Sequence, residues 1–178
     1  MLELKVDNKI FRYRLAKKED IDQVMEVIED GRLNLKLQGH GQWQNGYPNQ
    51  DTLLNDINNQ NLYVICHQDL IVGVLAIIYL DKEYPFVEAG AWASDYNYFV
   101  MHRCAVRKEY YHLGLGHFLF QIFEEVAKEN GIHSLRIDTH QGNYAMRHIL
   151  EKNGFVCCGT IILDPNKHRV IYEKVLEY

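Results

Sequence analysis

The most informative segment of the sequence opens with Tyr98-Phe-Val-Met-His-Arg-Cys-Ala-Val106, a largely apolar run that predicts a buried β-strand. The run continues into Arg107-Lys-Glu-Tyr-Tyr-His-Leu-Gly-Leu-Gly116, which predicts a loop because it ends in two closely spaced glycines. From about His117 to Asn130 the apolar residues recur with a helical period, and Gly131 ends the predicted helix. The segment therefore predicts a strand, a loop and an amphipathic helix in that order.

The two loop glycines indicate a binding site for an anion. The first turn of a helix presents backbone N–H groups without intrahelical partners and the positive end of the helix dipole. Gly114 and Gly116 carry no Cβ that would keep a ligand away, so we expect a phosphate or pyrophosphate there. The loop lacks the Gly-Lys-Ser/Thr of a P-loop, and Leu119 stands where a dinucleotide-binding fingerprint needs glycine or alanine. A plain turn remains the alternative interpretation.

The sequence on either side of this segment predicts alternating strands and helices. The predicted elements are strand 11–15, a helical period over residues 21–28 followed by a polar stretch to about Gln38, loop 39–48, a short helix from Asp51, strands 62–66 and 70–79 joined by a turn, the irregular aromatic segment 81–96, strand 133–139, a helix capped by Asn143 and ending at Asn153-Gly154, and strands at about 155–163 and 169–176 around the turn 164–167. This order predicts one α/β domain over residues 1–178 with a mixed sheet.

Composition restricts the class of protein further. The chain has 178 residues and a formal net charge of −5, which argues against non-specific binding of nucleic acid. It has no apolar run of about 18–20 residues and no signal-peptide pattern, so we expect a cytoplasmic protein without a membrane partner. The four cysteines and nine histidines lack a metal-ligand spacing, so we expect neither a metal nor structural disulfides.

Three motifs together resemble those of the GNAT superfamily of N-acetyltransferases. Tyr111-His-Leu-Gly-Leu-Gly116 is similar to the family's Arg/Gln-x-x-Gly-x-Gly/Ala loop, and Arg136-Ile-Asp-Thr139 to its fifth strand. Asn143 and the later Glu151-Lys-Asn-Gly-Phe155 are similar to the family's last helix and the strand that follows. The stretch 42–48 also resembles that of small bacterial GNAT proteins with unassigned substrates. The resemblance covers about residues 10–176.

The resemblance implies a GNAT fold, with a mostly antiparallel mixed sheet, splayed parallel central strands and flanking helices. It also implies that acetyl-CoA binds as acyl donor in the cleft between the splayed strands, with the pantetheine arm along Cys104, Ala105 and Val106. The implied pyrophosphate ligands are the backbone N–H groups of His112, Leu113, Gly114, Leu115, Gly116 and His117. Asn143 is implied as a further cofactor contact, with helix capping as the alternative.

The sequence departs from the family pattern at two positions. Tyr111 replaces the basic or amide residue that opens the loop, so that one phosphate contact is missing and His112 and Arg107 are the candidates to compensate. Leu150 replaces the tyrosine that serves many members as general acid. Tyr144 is a candidate substitute, although a thiol of pKa about 8.5 can also leave without a proton donor.

His102 is the first candidate for the general base, because it shares strand parity with Cys104 and Val106 and an imidazole titrates near neutral pH. A buried histidine with a structural hydrogen bond is the alternative interpretation. Asp138 and Glu88 are further candidates, acting through water. Covalent catalysis by Cys104 is disfavoured, because an apolar strand disfavours a thiolate. Arg103 is predicted to form an ion pair on the opposite face of the strand. His140, at the end of the fifth strand, is predicted to line the cleft, with a solvated loop histidine as the alternative.

Aromatic residues in loops are the candidates for binding the acceptor. They are Trp43, Tyr47, Trp92 and Tyr96, and with Asp95 they would suit a cationic or peptide amine. The alternative is that they pack beneath long loops or at a homodimer interface.

The sequence thus predicts an N-acetyltransferase that transfers the acetyl group of acetyl-CoA to a primary amine of a small molecule or peptide, by direct attack in a ternary complex. The alternatives are an acyltransferase with another acyl-CoA or a hydroxyl acceptor, and a non-catalytic CoA-binding regulatory or interaction domain.

Overall fold

A computed structural model of the protein describes residues 2–163 and 167–178, so Asp164, Pro165 and Asn166 of the predicted turn lie outside the described residues. The helices among the described residues are α1 (Ile21–Leu37), α2 (Gln50–Asn58), α3 (Leu115–Glu129) and α4 (Tyr144–Lys152). The strands are β1 (Glu3–Val6), β2 (Lys9–Leu15), β3 (Leu62–His67), β4 (Leu70–Tyr79), β5 (Val87–Gly90), β6 (Tyr98–Val106), β7 (Ser134–His140), β8 (Val156–Ile162) and β9 (His168–Val175).

Two of these strands were not predicted from the sequence. Strand β1 has four residues and pairs antiparallel with β2 across a turn in which Asp7 and Asn8 both have positive φ. Strand β5 also has four residues and lies in the segment that was predicted to be irregular. All four predicted helices and the seven predicted strands are confirmed, with ends that differ by a few residues.

The chain divides into two compact units, the first formed by the segment that ends at Ile77 together with His102–Ile122. In this unit β1, β2, β3 and β4 are joined antiparallel in that order, followed by the second part of β6. The backbone N–H of Arg107 donates to Val72 O at 2.7 Å, which continues the contact between β4 and β6.

Helix α1 forms because its apolar residues return every three or four positions. Val24, Val27 and Ile28 are fully buried in the core of the first unit. The Gln23 side chain at the edge of this face accepts from Ile71 N at 2.8 Å, which fixes α1 to strand β4.

The second unit consists of Ile78–Met101 and the segment from Phe123 onward. Its strand order is the first part of β6, then β7, β9, β8 and β5. Strands β6 and β7 pair parallel, whereas β7–β9, β9–β8 and β8–β5 pair antiparallel. Its core includes the buried residues Tyr84, Tyr98, Val100, Ile161 and Ile171.

Strands β5 and β8 approach each other so closely that both need glycine. A Cβ on Gly90 would overlap the carbonyl oxygen of Cys158, and a Cβ on Gly159 would overlap that of Ala89. Both glycines also have positive φ, of 86° and 134°. The edge pairing of the second unit therefore depends on the absence of two side chains.

The architecture is a mixed, mostly antiparallel α/β fold with helices beside its strands, which confirms the predicted fold class. The number of domains stays a prediction. Over residues 2–163 and 167–178, none of the helices combines the length and the apolar composition that crossing a membrane requires.

Candidate functional site

The predicted anion site lies in the first unit, where strand β6 continues through a loop into α3. The first helical hydrogen bond runs from Phe118 N–H to Gly114 O at 3.0 Å. The N–H groups of Leu115, Gly116 and His117 therefore precede the first helical bond and are directed out of the helix end. Leu115 is the buried residue of this turn, and its side chain anchors the helix end in the core.

The space around the two loop glycines is open. An added Cβ at Gly114 or at Gly116 would meet no heavy atom within 4 Å. Gly114 has φ of 84° and His112 has φ of 66°, so the chain turns twice through the left-handed region before the helix begins. An exposed helix start with open glycine positions is the geometry that binds a phosphate through backbone N–H groups, and the residues present therefore fit the pyrophosphate of CoA.

The basic side chain at the start of the loop is directed elsewhere. Arg107 Nη1 lies 2.9 Å from Glu26 Oε2 on α1, and Arg107 Nε donates to Ile71 O at 2.9 Å. Two of its three guanidinium nitrogens are therefore engaged by α1 and β4, whereas Nη2 is buried without a hydrogen-bond partner among the described residues. That Arg107 compensates for the missing cation at Tyr111 stays a prediction. His112 and His117 are exposed beside the glycines.

Strand β6 has an irregular backbone where it approaches the loop. Arg103 has φ of 46°, an uncommon conformation for a residue with a side chain inside a strand. The strict alternation of side chains is interrupted there, so the parity argument that relates His102 to Cys104 and Val106 does not hold across Arg103. His102 is half-buried, and its role as a base stays a prediction.

An ion pair holds Arg103 from the side of α2. Arg103 Nε and Nη2 donate to Asp56 at 2.6 and 2.8 Å, and Nη1 donates to the Tyr47 hydroxyl at 2.8 Å. Asp56 is buried and the Arg103 side chain is only 10% exposed. The predicted ion-pair role of Arg103 is confirmed, and Tyr47, which is partly exposed, is fixed by the same network.

The three residues after Arg103 carry little side-chain chemistry of their own. Ala105 is buried in the core of the first unit. Burial raises the pKa of the Cys104 thiol to about 11, so this thiol is protonated at neutral pH. Any contact that Cys104, Ala105 and Val106 make with an extended ligand would therefore use the backbone.

Trp43 is buried, although its place in a loop predicts an exposed side chain. It is 8% exposed and packs in the core of the first unit, against the point where Gly31 of α1 faces Ala105. A Cβ on Gly31 would lie 3.0 Å from the Trp43 ring and 2.9 Å from the Ala105 Cβ. The indole fills space that the glycine leaves, which is the packing alternative for this residue.

Asp138 in the second unit has two partners. Its carboxylate accepts a hydrogen bond from the buried Tyr84 hydroxyl and lies 3.6 Å from Arg169 Nε. Burial, together with the Asp138 charge, raises the pKa of Tyr84, so the phenol remains the proton donor. The catalytic role of Asp138 stays a prediction.

The start of α4 carries two further predicted residues. Asn143 is buried and its side chain accepts from Met146 N at 3.1 Å, which confirms its capping role. Tyr144 is 74% exposed, with the Arg147 guanidinium 5.8 Å from its ring centroid. Leu150, one of the two departures from the family pattern, is fully buried.

Trp92 is held in a stack of aromatic and cationic groups in the second unit. Its ring stacks on Tyr84 at 5.5 Å, its Nε1 donates to Tyr84 O at 2.8 Å, and the Arg136 guanidinium lies 4.3 Å from its centroid. Tyr96 is mostly exposed and lies 5.7 Å from the His133 ring. The alternative of packing beneath a long loop therefore describes Trp92 better than Tyr96.

Residues that the sequence did not single out organise both units. Asp56, Tyr84 and Glu173 are each buried polar groups with hydrogen bonds over more than 45 positions of sequence separation. For Asp56 and Glu173 the available signal was a polar residue on the apolar face of a predicted element, whereas Tyr84 lies in the segment that was predicted to be irregular. Among residues 2–163 and 167–178, no group of three His, Cys, Asp or Glu side chains could hold a metal ion.

Comparison with known proteins identifies the class. The sequence profile described as the acetyltransferase (GNAT) family matches residues 33–155. A crystal structure of a GNAT-family acetyltransferase from Streptococcus agalactiae is 32% identical, covers 94% of this chain and 96% of its own, and superposes with a TM-score of 0.83. The protein belongs to the GNAT acetyltransferase family.

Other solved structures share the fold. One is a putative acetyltransferase from Staphylococcus aureus, with 25% identity, 93% of this chain and 99% of that chain covered, and a TM-score of 0.68. Another is the PaiA N-acetyltransferase from Thermoplasma acidophilum in complex with coenzyme A, with 19% identity, the same coverage and a TM-score of 0.69. No curated protein sequence matches the chain.

Proposed function

We propose that the protein transfers the acetyl group of acetyl-CoA to a primary amine of a small molecule or peptide, by direct attack within a ternary complex. The observation that carries the proposal is the exposed start of α3, where Gly114 and Gly116 leave open space beside the first N–H groups of the helix. Family membership and the coenzyme A bound to the Thermoplasma acidophilum relative support the choice of donor.

The backbone of β6 and the loop would hold the donor. The N–H groups of residues 112–117 would bind the pyrophosphate, and the backbone of Cys104, Ala105 and Val106 would pair with the pantetheine arm as an added strand does. Acetyl-CoA supplies an activated thioester carbonyl. A backbone N–H near Cys104 would stabilise the negative charge that develops on the carbonyl oxygen.

The direct attack is supported by the state of the Cys104 thiol. A thiol with a pKa of about 11 is almost entirely protonated at pH 7, which makes it a poor nucleophile for a covalent step. The amine must instead be deprotonated before attack, because an ordinary primary amine has a pKa near 10.4. We propose His102 for this role, with Asp138 and Glu88 as alternatives that act through water.

The remaining predicted roles also stay proposals. Asn143 is proposed as a cofactor contact in addition to its cap, Tyr144 as the proton donor in place of Leu150, and Tyr47, Trp92 and Tyr96 as acceptor contacts. The cytoplasmic location and a homodimer stay predictions from the sequence.

Calorimetric titration with acetyl-CoA tests the donor site. We expect micromolar binding by the wild type and a loss of about tenfold or more in Gly114→Val, because valine both blocks the cradle and is strained at φ of 84°. Gly131→Val is the matched control, since Gly131 also has positive φ and open space but lies at the other end of α3. Equal losses in both variants would contradict the assignment of the loop.

Thiol release with a panel of primary amines and of peptides with free N-termini tests the reaction. We expect turnover with at least one acceptor, and a pH–rate profile in His102→Ala that loses its acidic limb. The buried Leu150 favours one other function, a non-catalytic CoA-binding domain. Tight binding of acetyl-CoA without release of thiol for any acceptor would replace the enzyme proposal with that one.

A further inference from the structure

Helix α1 presents two carboxylates, one turn apart, to the start of the loop after β6. Glu26 Oε2 lies 2.9 Å from Arg107 Nη1, and Asp30 Oδ2 accepts the backbone N–H of Lys108 at 2.9 Å. Residues four positions apart on a helix lie on the same face, so the two groups act on consecutive residues of the loop. The loop is thus tied to α1 where it leaves the strand.

Tyr111 adds a third tie to the same point of α1. Its hydroxyl donates to the carbonyl oxygen of Asp30 at 3.4 Å, and the side chain is half-buried. Burial and the neighbouring Asp30 charge raise the pKa of Tyr111, so its hydroxyl keeps its proton. Asp30 therefore contacts the loop through both its side chain and its backbone, at Lys108 and at Tyr111.

These contacts describe the role of Tyr111, which stands where the family motif has a basic or amide residue. The Tyr111 side chain is directed toward α1. The negative charge of Glu26 is balanced by Arg107, and one oxygen of Asp30 is occupied by an amide. Both carboxylates therefore contact residues 107 and 108 at the start of the loop. The backbone N–H groups proposed to bind the anion belong to residues 112–117, later in the loop.

We propose that Asp30, supported by Glu26, is a positioning residue for the CoA pyrophosphate: it holds residues 107–111 so that the N–H groups of residues 112–117 converge on the phosphates. The inference rests on the proposed function. Binding by backbone N–H groups alone depends on their preorganisation, because every residue that becomes ordered on binding lowers the affinity.

The test compares three variants on α1 by calorimetry with CoA. Asp30→Ala should lower the affinity about three- to tenfold, since the Lys108 N–H and the loop lose their anchor. Asp30→Asn should stay within about twofold of the wild type, because its side-chain oxygen can still accept from Lys108. Asp22→Ala is the matched control, an exposed aspartate on the same helix, and should also stay within about twofold.

Amide hydrogen exchange supplies a readout that does not require the ligand. In Asp30→Ala we expect faster exchange at Lys108 and across residues 107–117, with the strands of both units unchanged. Faster exchange throughout the protein would overturn the positioning role in favour of a general loss of stability.

The outcomes separate the two claims. A wild type that binds CoA, with Asp30→Ala binding as tightly as Asp22→Ala, would overturn the inference and leave the proposed function intact. A folded wild type that binds neither CoA nor acetyl-CoA would overturn the proposed function, and the inference with it. Rescue by Asp30→Asn together with a local change in exchange would establish the positioning role.

Discussion

Each unit of the protein buries an arginine against a carboxylate, and the two pairs differ in geometry. In the first unit, Arg103 makes two hydrogen bonds of 2.6 and 2.8 Å to Asp56. In the second, Arg136 Nε lies 3.6 Å from Glu173, and the guanidinium carbon lies 4.3 and 4.1 Å from the ring centroids of Trp92 and Tyr98. Arg103 is thus bound directly to its carboxylate, whereas Arg136 lies against aromatic rings and donates from Nη2 to Ser94 O at 2.8 Å.

The net pKa shifts of the two arginines have opposite signs. Burial lowers the pKa of each, since it disfavours the charged form. At Arg103 burial is the largest single effect, but the hydrogen bonds and charge of Asp56 together with the Tyr47 hydroxyl outweigh it, and the net pKa is raised. At Arg136 the charge of Glu173 offsets burial only in part, and the net pKa is lowered. Direct bidentate contact therefore stabilises a buried guanidinium more than proximity does.

The difference follows from what each carboxylate does. Both oxygens of Asp56 accept hydrogen bonds from Arg103. The oxygens of Glu173 instead accept from Ser134 Oγ at 2.7 Å and from the backbone N–H of Ala93 at 2.5 Å. The first pair holds one strained residue in β6, and the second holds the loop before β6. If this distinction governs stability, loss of the Asp56 carboxylate should destabilise the protein more than loss of the Glu173 charge.

The largest effect is expected for Asp56→Ala. The variant leaves the Arg103 charge buried without its partner, and we expect the free energy of unfolding to fall by about 3–5 kcal/mol. Urea unfolding measures the loss. Asp51→Ala is the control, an exposed aspartate on the same helix. A loss no greater than that of the control would show that the buried pair is not stabilising.

A smaller effect is expected for Glu173→Gln. The amide keeps the shape and can still accept from Ala93 or Ser134, but the hydrogen bonds lose their charge, so we expect a loss of about 1–3 kcal/mol. The same unfolding measurement applies, with the exposed Glu177→Gln as control. A loss equal to that of Asp56→Ala would remove the distinction between the two pairs.

Tyr47→Phe tests the outer end of the Arg103 network. It removes only the hydroxyl that accepts from Nη1 and leaves both bonds to Asp56, so we expect a loss of about 0.5–1 kcal/mol. Tyr144→Phe is the control, because the Tyr144 ring is mostly exposed. A loss above that of Asp56→Ala would show that Tyr47, rather than Asp56, is the main partner of Arg103.

The smallest effect concerns a bidentate pair whose arginine is partly exposed. Asp20 accepts from Arg14 at 2.7 and 3.0 Å, and chiefly these hydrogen bonds lower its pKa. A lowered pKa in the folded state gives stability that is fully present above the ordinary value of about 3.9 and is lost as pH falls through the folded value.

We therefore expect Asp20→Asn to cost up to about 1 kcal/mol at pH 7, and the difference from the wild type to shrink below about pH 4. Urea unfolding at a series of pH values measures it. A difference that is constant down to pH 2 would mean that the charge of Asp20 contributes nothing.

The strand, loop and helix from Tyr98 to Asn130 could be predicted because their signals are local. Apolar periodicity and glycine positions act within a few residues, and the structure places each element where they predict. Strand β5 could not be predicted, because its pairing depends on a partner about 70 positions later in the chain. Its four residues, Val-Glu-Ala-Gly, are too few to predict a strand by themselves.

The site was predicted less completely, for the same reason. The sequence indicates that Arg103 forms an ion pair, but not that Asp56 is its partner or that its φ is positive. The burial of Trp43 depends on space left by Gly31, twelve positions earlier on a different element. Complementary shapes of this kind leave no pattern in a single sequence.

The close approach of Gly90 and Gly159 has a consequence for the behaviour of the protein in concentrated solution. Any L-residue at either position would force β5 away from β8, because the new Cβ would occupy the place of a carbonyl oxygen. The backbone donors and acceptors of β8 that pair with β5, at residues 159–161, would then lose their partners. An unpaired strand edge can pair with a strand of another molecule, so we expect a side chain at either glycine to make the protein more prone to aggregation.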